Sequence, residues 1–335
     1  MKRQRRADAR PRDAVIRMRA FQRIRIGTRG SALALWQSRY VADLLSQRFP
    51  EIEIELAEIT SLGDRVTDVP LSHVEGTGFF TASIEQALSA GDVDVAVHSY
   101  KDLPVESTPG LAVAAVPERG SVEDVLCARG SRTLATLPAG GRIGTCSSRR
   151  TAQVRLMRSD LEIVPLRGNV PTRVARLQDD LDAVVLAKAG LERLGLGSAI
   201  TQVFPIERML PAPAQGALAI QCRASDRDLA RRLSALNHHA TRQAVDAERA
   251  MLHELGGGCS VPVGGVAVAD GSDIRLIAGA FSLRGLPAAH ARQSGSDPLE
   301  VGRRAAAELM SNGAAPILEE FDGLAGTAAA MAGDN

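Results

Sequence analysis

The 335-residue length favours two or three domains over one, and 45% hydrophobic against 24% charged residues describes a globular chain and excludes a disordered one. Only 3% of residues are aromatic, so the core must be aliphatic and stacking platforms for single-stranded nucleic acid are excluded. The formal charge of +1 is uneven: residues 1–17 hold net +5, which leaves the rest of the chain at −4, a body without general affinity for DNA.

Residues 1–22 read as a disordered N-terminal extension, with Met18 as an alternative start; a basic patch for nucleic acid or membrane is the other reading of those charges. No apolar run nears the ~20 residues that span a bilayer, and the tail lacks the apolar stretch of a signal peptide. Cys127, Cys146, Cys222 and Cys259 are widely spaced without a Cys-x-x-Cys pair, which suits a reducing cytoplasm and argues against a zinc site or disulfide scaffold.

From Arg23 the chain alternates as a short strand to Gly27, turns at Thr28-Arg-Gly-Ser31, and then shows apolar residues at helical spacing from Leu33 to Leu45, with Ser31 as N-cap. A strand over 51–59, a helix over 81–90 and strands over 93–98 and 111–116 follow. After a break at 117–120 the pattern resumes: a strand ending at 145, a helix from Ser147 towards Met157, a strand over 162–166, a helix over 172–178, a strand over 182–187 and a helix to Leu194. Such alternation predicts a mainly parallel sheet in each half. Pro211-Ala-Pro213 marks a second break. Beyond it a long helix over 239–255 precedes Gly256-Gly-Gly258, then alternating runs at 261–269 and 274–281 and a helix over 298–310. The expected domains are 23–117 with 216–236, 121–211, and a small α+β unit over 238–320.

Two α/β halves make a cleft at the carboxyl ends of their strands, where ligands usually sit. Arg29, Arg149, Arg150, Arg167 and Arg173 all fall at strand–helix turns, where free backbone N–H groups and the helix dipole already attract anions. Together they fit a polyanionic ligand; one by one they also fit solvated surface charges. Lys101 and Asp102 follow a buried-type strand. They either cap a loop or place a carboxylate where it steadies a developing cation and takes a proton. Cys259, on a glycine loop, is either a small buried hydrophobe or an attachment or nucleophilic thiol. His98 is expected to pack or hydrogen-bond within its strand, and the other cysteines to pack. No phosphate-binding or dinucleotide-binding glycine loop is present, and no metal ligand set.

These segments, taken in order, resemble the porphobilinogen deaminase (hydroxymethylbilane synthase) family. The matches are Thr28-Arg-Gly-Ser-Ala-Leu-Ala34, Ala96-Val-His-Ser-Tyr-Lys-Asp102, Gly144-Thr-Cys-Ser-Ser-Arg-Arg150, Leu166-Arg-Gly-Asn-Val170, Ala189-Gly-Leu-Glu-Arg-Leu-Gly195, Ala235-Leu-Asn-His-His239, Ala247-Glu-Arg-Ala250 and Gly257-Gly-Cys-Ser-Val-Pro262. The resemblance implies an α/β fold of two periplasmic-binding-protein-like domains flanking a cleft, plus a small C-terminal α+β domain. It implies an enzyme of tetrapyrrole biosynthesis that condenses four porphobilinogen molecules head to tail, with loss of ammonia. A covalent dipyrromethane cofactor would be tethered by a thioether to Cys259 and held by Lys101, Ser147, Arg149 and Arg150. Arg29, Ser31, Arg167, Arg173, Arg193 and Gln215 would bind substrate, and Asp102 would be catalytic, beside an electron-deficient azafulvene-type species. The partners implied are porphobilinogen, the growing polypyrrole chain and the next pathway enzyme, for a cytoplasmic monomer. A non-catalytic anion-binding protein of the same two-lobed fold is the alternative. Three positions depart from the family pattern: Thr77 where lysine is common, Cys146 for a serine, and Ala214 where glycine is frequent.

Overall fold

Alternation builds the first strand. Ile24 and Ile26 of β1 (Arg23–Thr28) are fully buried, while Arg23 is exposed and Arg25 half-buried. The computed structural model describes residues 23–59, 81–258 and 260–333. β1 pairs in parallel with β2 (Glu53–Glu58) on one side and β3 (Val95–Ser99) on the other. β10 (Leu218–Arg223) then runs antiparallel between β3 and β4 (Leu111–Ala115), giving the order β2-β1-β3-β10-β4.

The second sheet repeats this plan. β6 (Arg142–Gly144) lies parallel between β7 (Glu162–Val164) and β8 (Ala183–Ala187), and β5 (Asp124–Ala128) runs antiparallel between β8 and β9 (Gln202–Val203). The order is β7-β6-β8-β5-β9. In both sheets the antiparallel strand is the one that arrives from the other half of the molecule. It therefore begins at the edge where its parallel neighbours end: Asp124 opens β5 opposite Ala187, and Leu218 opens β10 opposite Ser99. Both connectors, residues 116–123 and 204–217, thus run past the carboxyl ends of the parallel strands, the edge at which open α/β sheets bind ligands.

The mainly parallel sheets agree with the sequence expectation; four strands do not appear in it, one of them the two-residue β9. β5 lacks alternation because both its faces are covered. Val125 and Cys127 pack into one cluster and Leu126 into another, and a short all-apolar run carries no period. β10 is buried almost throughout, for the same reason. β13 (Ala288–Gly295) sets alanines against polar residues, a weak hydrophobic signal. Helices at Arg227–Leu233 and Ala314–Gly333 are also additions. The helix expected over 172–178 starts at Val170, capped by Asn169, and tightens after Ala175.

β11 (Val263–Asp270), β12 (Asp273–Phe281) and β13 form an antiparallel meander. The helices His239–Glu254 and Pro298–Ser311 pack on it, burying Ala247, Met251, Val301 and Leu309 against Leu276 and Ala278. They cross at backbone contact: a Cβ on Gly302 would meet the Ala247 carbonyl oxygen at 2.5 Å. Among the described residues, no helix is long and apolar enough to cross a membrane.

Candidate functional site

Asp102 closes a single tight turn, Tyr100–Asp102, at the carboxyl end of β3. Its side chain is exposed, whereas Lys101 beside it is half-buried and directs its ammonium inward to Gln215 Oε1 at 3.2 Å. Burial pushes the Lys101 ammonium down to about 8; Asp102 opposes that shift and Arg150 adds to it. His98 in β3, three residues before Lys101, hydrogen-bonds Gln221 at 3.1 Å, and burial lowers it to about 4, so it is neutral at pH 7. That is the packing role expected of it.

Arg149 and Arg150 open the helix Ser148–Met157, capped by Ser147, whose Oγ accepts from the Arg150 backbone N–H. Both guanidiniums are buried on one carboxylate. Arg149 donates to Asp124 Oδ2 at 2.6 Å and to the Leu210 carbonyl at 2.6 Å. Arg150 donates to Asp124 Oδ1 through Nε at 3.0 Å and through a terminal nitrogen at 2.7 Å. Asp124 is fully buried, yet its carboxyl sits well below the usual range, because the two guanidiniums outweigh the burial that would raise it. Gln215 completes the node. Its Nε2 donates to Asp124 Oδ1 at 3.1 Å and to the Val122 carbonyl at 2.7 Å. The chain Lys101–Gln215–Asp124–Arg149/Arg150 therefore joins the functional edge of the first sheet to that of the second.

Of the other expected residues, Arg29 follows β1 and is half-buried, and Ser31 caps the helix Ala32–Arg48 by accepting from Ala34 N. Arg167, after β7, and Arg173, in the next helix, are half-buried, with Arg173 Nε donating to the Gly168 carbonyl. Arg193 lies 5.5 Å from the Trp36 ring centroid and donates to the Gly216 carbonyl at 2.6 Å, tying the second lobe to both the first and the connector. Gly216 has φ +85, and a Cβ there would meet the carbonyl oxygens of Gly120 and Ser121 at 2.6 Å, so the connectors touch at a point that admits only glycine. A cavity of about 330 Å³, lined by Trp36, Tyr40, Glu118, Gly120, Ala189 and Arg193 among others, opens beside this junction. Cys259 and Thr77 lie outside the described residues.

Two structural charges carry no sequence assignment. Glu248, fully buried, holds Arg119 in a two-pronged pair at 2.7 and 3.0 Å and accepts the backbone N–H groups of Ala214 and Ala267 at 2.6 and 2.7 Å. Neither carried a local signal of its role: Asp124 is one acid before an apolar run, and Glu248 had only its place within the Ala247–Ala250 match. Two family departures also find physical reasons. Cys146 Sγ donates to the Leu166 carbonyl at 3.0 Å and accepts Leu166 N–H at 3.1 Å, the bonds a serine hydroxyl makes, so it does more than pack. Ala214 has φ +62, the left-handed region that favours glycine, but its buried methyl packs with Tyr100, Ala217 and Val245.

The dipyrromethane group that the resemblance implies carries acetates and propionates on pyrrole rings. The donor set at the shared edge consists of guanidiniums, one desolvated ammonium and two hydroxyl N-caps, with an exposed carboxylate left for ring N–H groups. That set fits the group. Comparison with known proteins agrees. Residues 24–231 match the family model described as "Porphobilinogen deaminase, dipyromethane cofactor binding domain", and residues 242–311 match "Porphobilinogen deaminase, C-terminal domain".

The chain belongs to the porphobilinogen deaminase family.

The porphobilinogen deaminase of Syntrophomonas wolfei is 44% identical over 303 residues, 90% of this chain and 99% of that protein. That of Syntrophus aciditrophicus is 45% identical over 302 residues, 89% and 99% respectively. Among solved structures, the methionine-binding protein MetQ overlaps 64% of this chain and 89% of its own at 13% identity, with a TM-score of 0.43. The two-lobed fold stands on the paired strand orders alone. Dipyrromethane is the cofactor of the family's matched domain.

Proposed function

We propose that this protein is a porphobilinogen-condensing transferase that makes hydroxymethylbilane and releases ammonia. The observation that carries the reading is the continuous link from Lys101 through Gln215 to Asp124 and its two arginines, which places cations from both lobes on one edge beside exposed Asp102. Family membership supports the substrate class.

In this reading Cys259 would anchor the cofactor, which when bound would supply the free pyrrole end that substrate extends. Lys101, Ser147, Arg149 and Arg150 hold the cofactor's carboxylates. The buried Asp124 offsets one of the two arginine charges and fixes both side chains. Arg29, Ser31, Arg167, Arg173, Arg193 and Gln215 bind and orient incoming substrate. Asp102 holds negative charge beside the pyrrole N–H as positive charge develops on the ring, and takes the proton that leaves the condensing carbon. The reading takes 23–117 with 216–236, 121–211 and 238–320 as the domains. It also takes the protein as a cytoplasmic monomer that passes product to the next enzyme, the compartment being supported by its widely spaced cysteines.

Porphobilinogen consumption with matching ammonia release tests it. Asp102→Asn is expected to fold normally, because the side chain is exposed, and to lose at least ~100-fold in kcat. Turnover near wild type in that variant would remove Asp102 from its role and favour a simple anion binder.

A further inference from the structure

Arg249 lies on the face of helix His239–Glu254 that meets the Asp102 turn. Its guanidinium gathers backbone carbonyls from the segment that follows the turn, Leu103 at 3.1 Å, Pro104 at 2.6 Å and Val105 at 3.2 Å, with a longer contact to Tyr100 at the turn's start at 3.4 Å. It also stacks 4.5 Å from the Tyr100 ring centroid. Behind this segment lies a cavity of about 290 Å³, bounded by Leu103, Pro104, Val105, Ser107 and the helix residues Arg249 and His253. Side-chain packing is therefore incomplete under the turn that carries Asp102, and a rigid planar fork spans the gap. The same helix ends at Glu254, five residues beyond Arg249, and Gly256, with φ +64, follows its C-cap Leu255 three positions before Cys259 in the sequence.

We propose that Arg249 is a positioning residue that fixes the turn carrying Asp102 against the helix His239–Glu254. One helix residue thereby holds the backbone on both sides of Asp102, at Tyr100 before it and at Leu103 to Val105 after it. This rests on the reading of Asp102 given above.

The test uses Arg249→Gln and Arg249→Lys in the full chain, alone and combined with Asp102→Asn. Amide hydrogen exchange over 100–106 is expected to speed up by roughly tenfold or more in Arg249→Gln, while β3 stays protected. Intact mass should retain the dipyrrole adduct, KM should stay within about twofold, and kcat should fall roughly 10- to 100-fold, the scale of a small misplacement. Arg249→Lys should recover only part of this, since one ammonium cannot serve the carbonyls as a fork does, and it carries the test if Arg249→Gln does not fold. Within Asp102→Asn the arginine substitution should cost nothing further, because both act through one group. Unchanged exchange in 100–106, unchanged kcat, or an equal additional loss in the Asp102→Asn background would overturn the proposal. A wild-type protein without adduct or turnover would defeat the catalytic reading instead, and the exchange result would still decide whether Arg249 clamps the turn.

Discussion

Lys101 carries a charge that depends on pH close to neutrality. Burial holds its ammonium near 8, against 10.5 for an unperturbed lysine. Below about pH 8 it is a cation able to pair with a carboxylate; above that it is neutral. Loading of the apo-protein with the dicarboxylate pyrrole is therefore expected to weaken as pH rises through about 8, and that limb should vanish in Lys101→Met. Stability should move the other way. The folded pKa lies below the unfolded one, so the penalty for a charged, desolvated lysine is complete below about 8 and is relieved as pH climbs towards 10.5. A wild-type profile that stays level well above pH 8 would contradict this. Residues whose chemistry shows in local order were legible: Ser31 and Ser147 as helix caps, the arginines at turns, His98 within its strand. Asp124 was not, because its partners lie 25, 26 and 91 positions away and no local pattern marks them.

β3 and β8, buried on both faces, were readable from their place after helices, but two other strands covered on both faces were not. β5 and β10 are those strands, and they are also the ones that bring the connectors to the site. The elements most informative about function were thus the hardest to read. Asp124 gives β5 a measurable consequence. Replacing it with alanine leaves Arg149 and Arg150 buried without their carboxylate, and unfolding free energy is expected to drop by about 3–5 kcal/mol in denaturant titrations. A loss under about 1 kcal/mol would mean that the helix Ser148–Met157 holds its arginines in place by other means.

For the molecule as a whole, two buried carboxylates sit where the connectors cross. Asp124 binds the first connector to the second lobe, and Glu248 binds Arg119 and Ala214 to the C-terminal sheet through Ala267. Gln215 touches both assemblies, with its side chain on Asp124 and its carbonyl accepting Arg119 Nε at 2.7 Å. The lobes are therefore joined by polar contacts that sequence periodicity does not encode, although the two-lobed plan itself was readable from alternation. The arginines also differ from the sequence picture of bare cations awaiting a ligand, because Asp124 already neutralises part of their charge. The central claim is that this cationic edge exists to hold a dipyrrole tethered to Cys259. Intact mass of the purified protein tests it most directly. Wild type is expected to carry a covalent dipyrrole adduct that is absent from Cys259→Ala; an unmodified wild-type mass, or an adduct that survives the substitution, would contradict it.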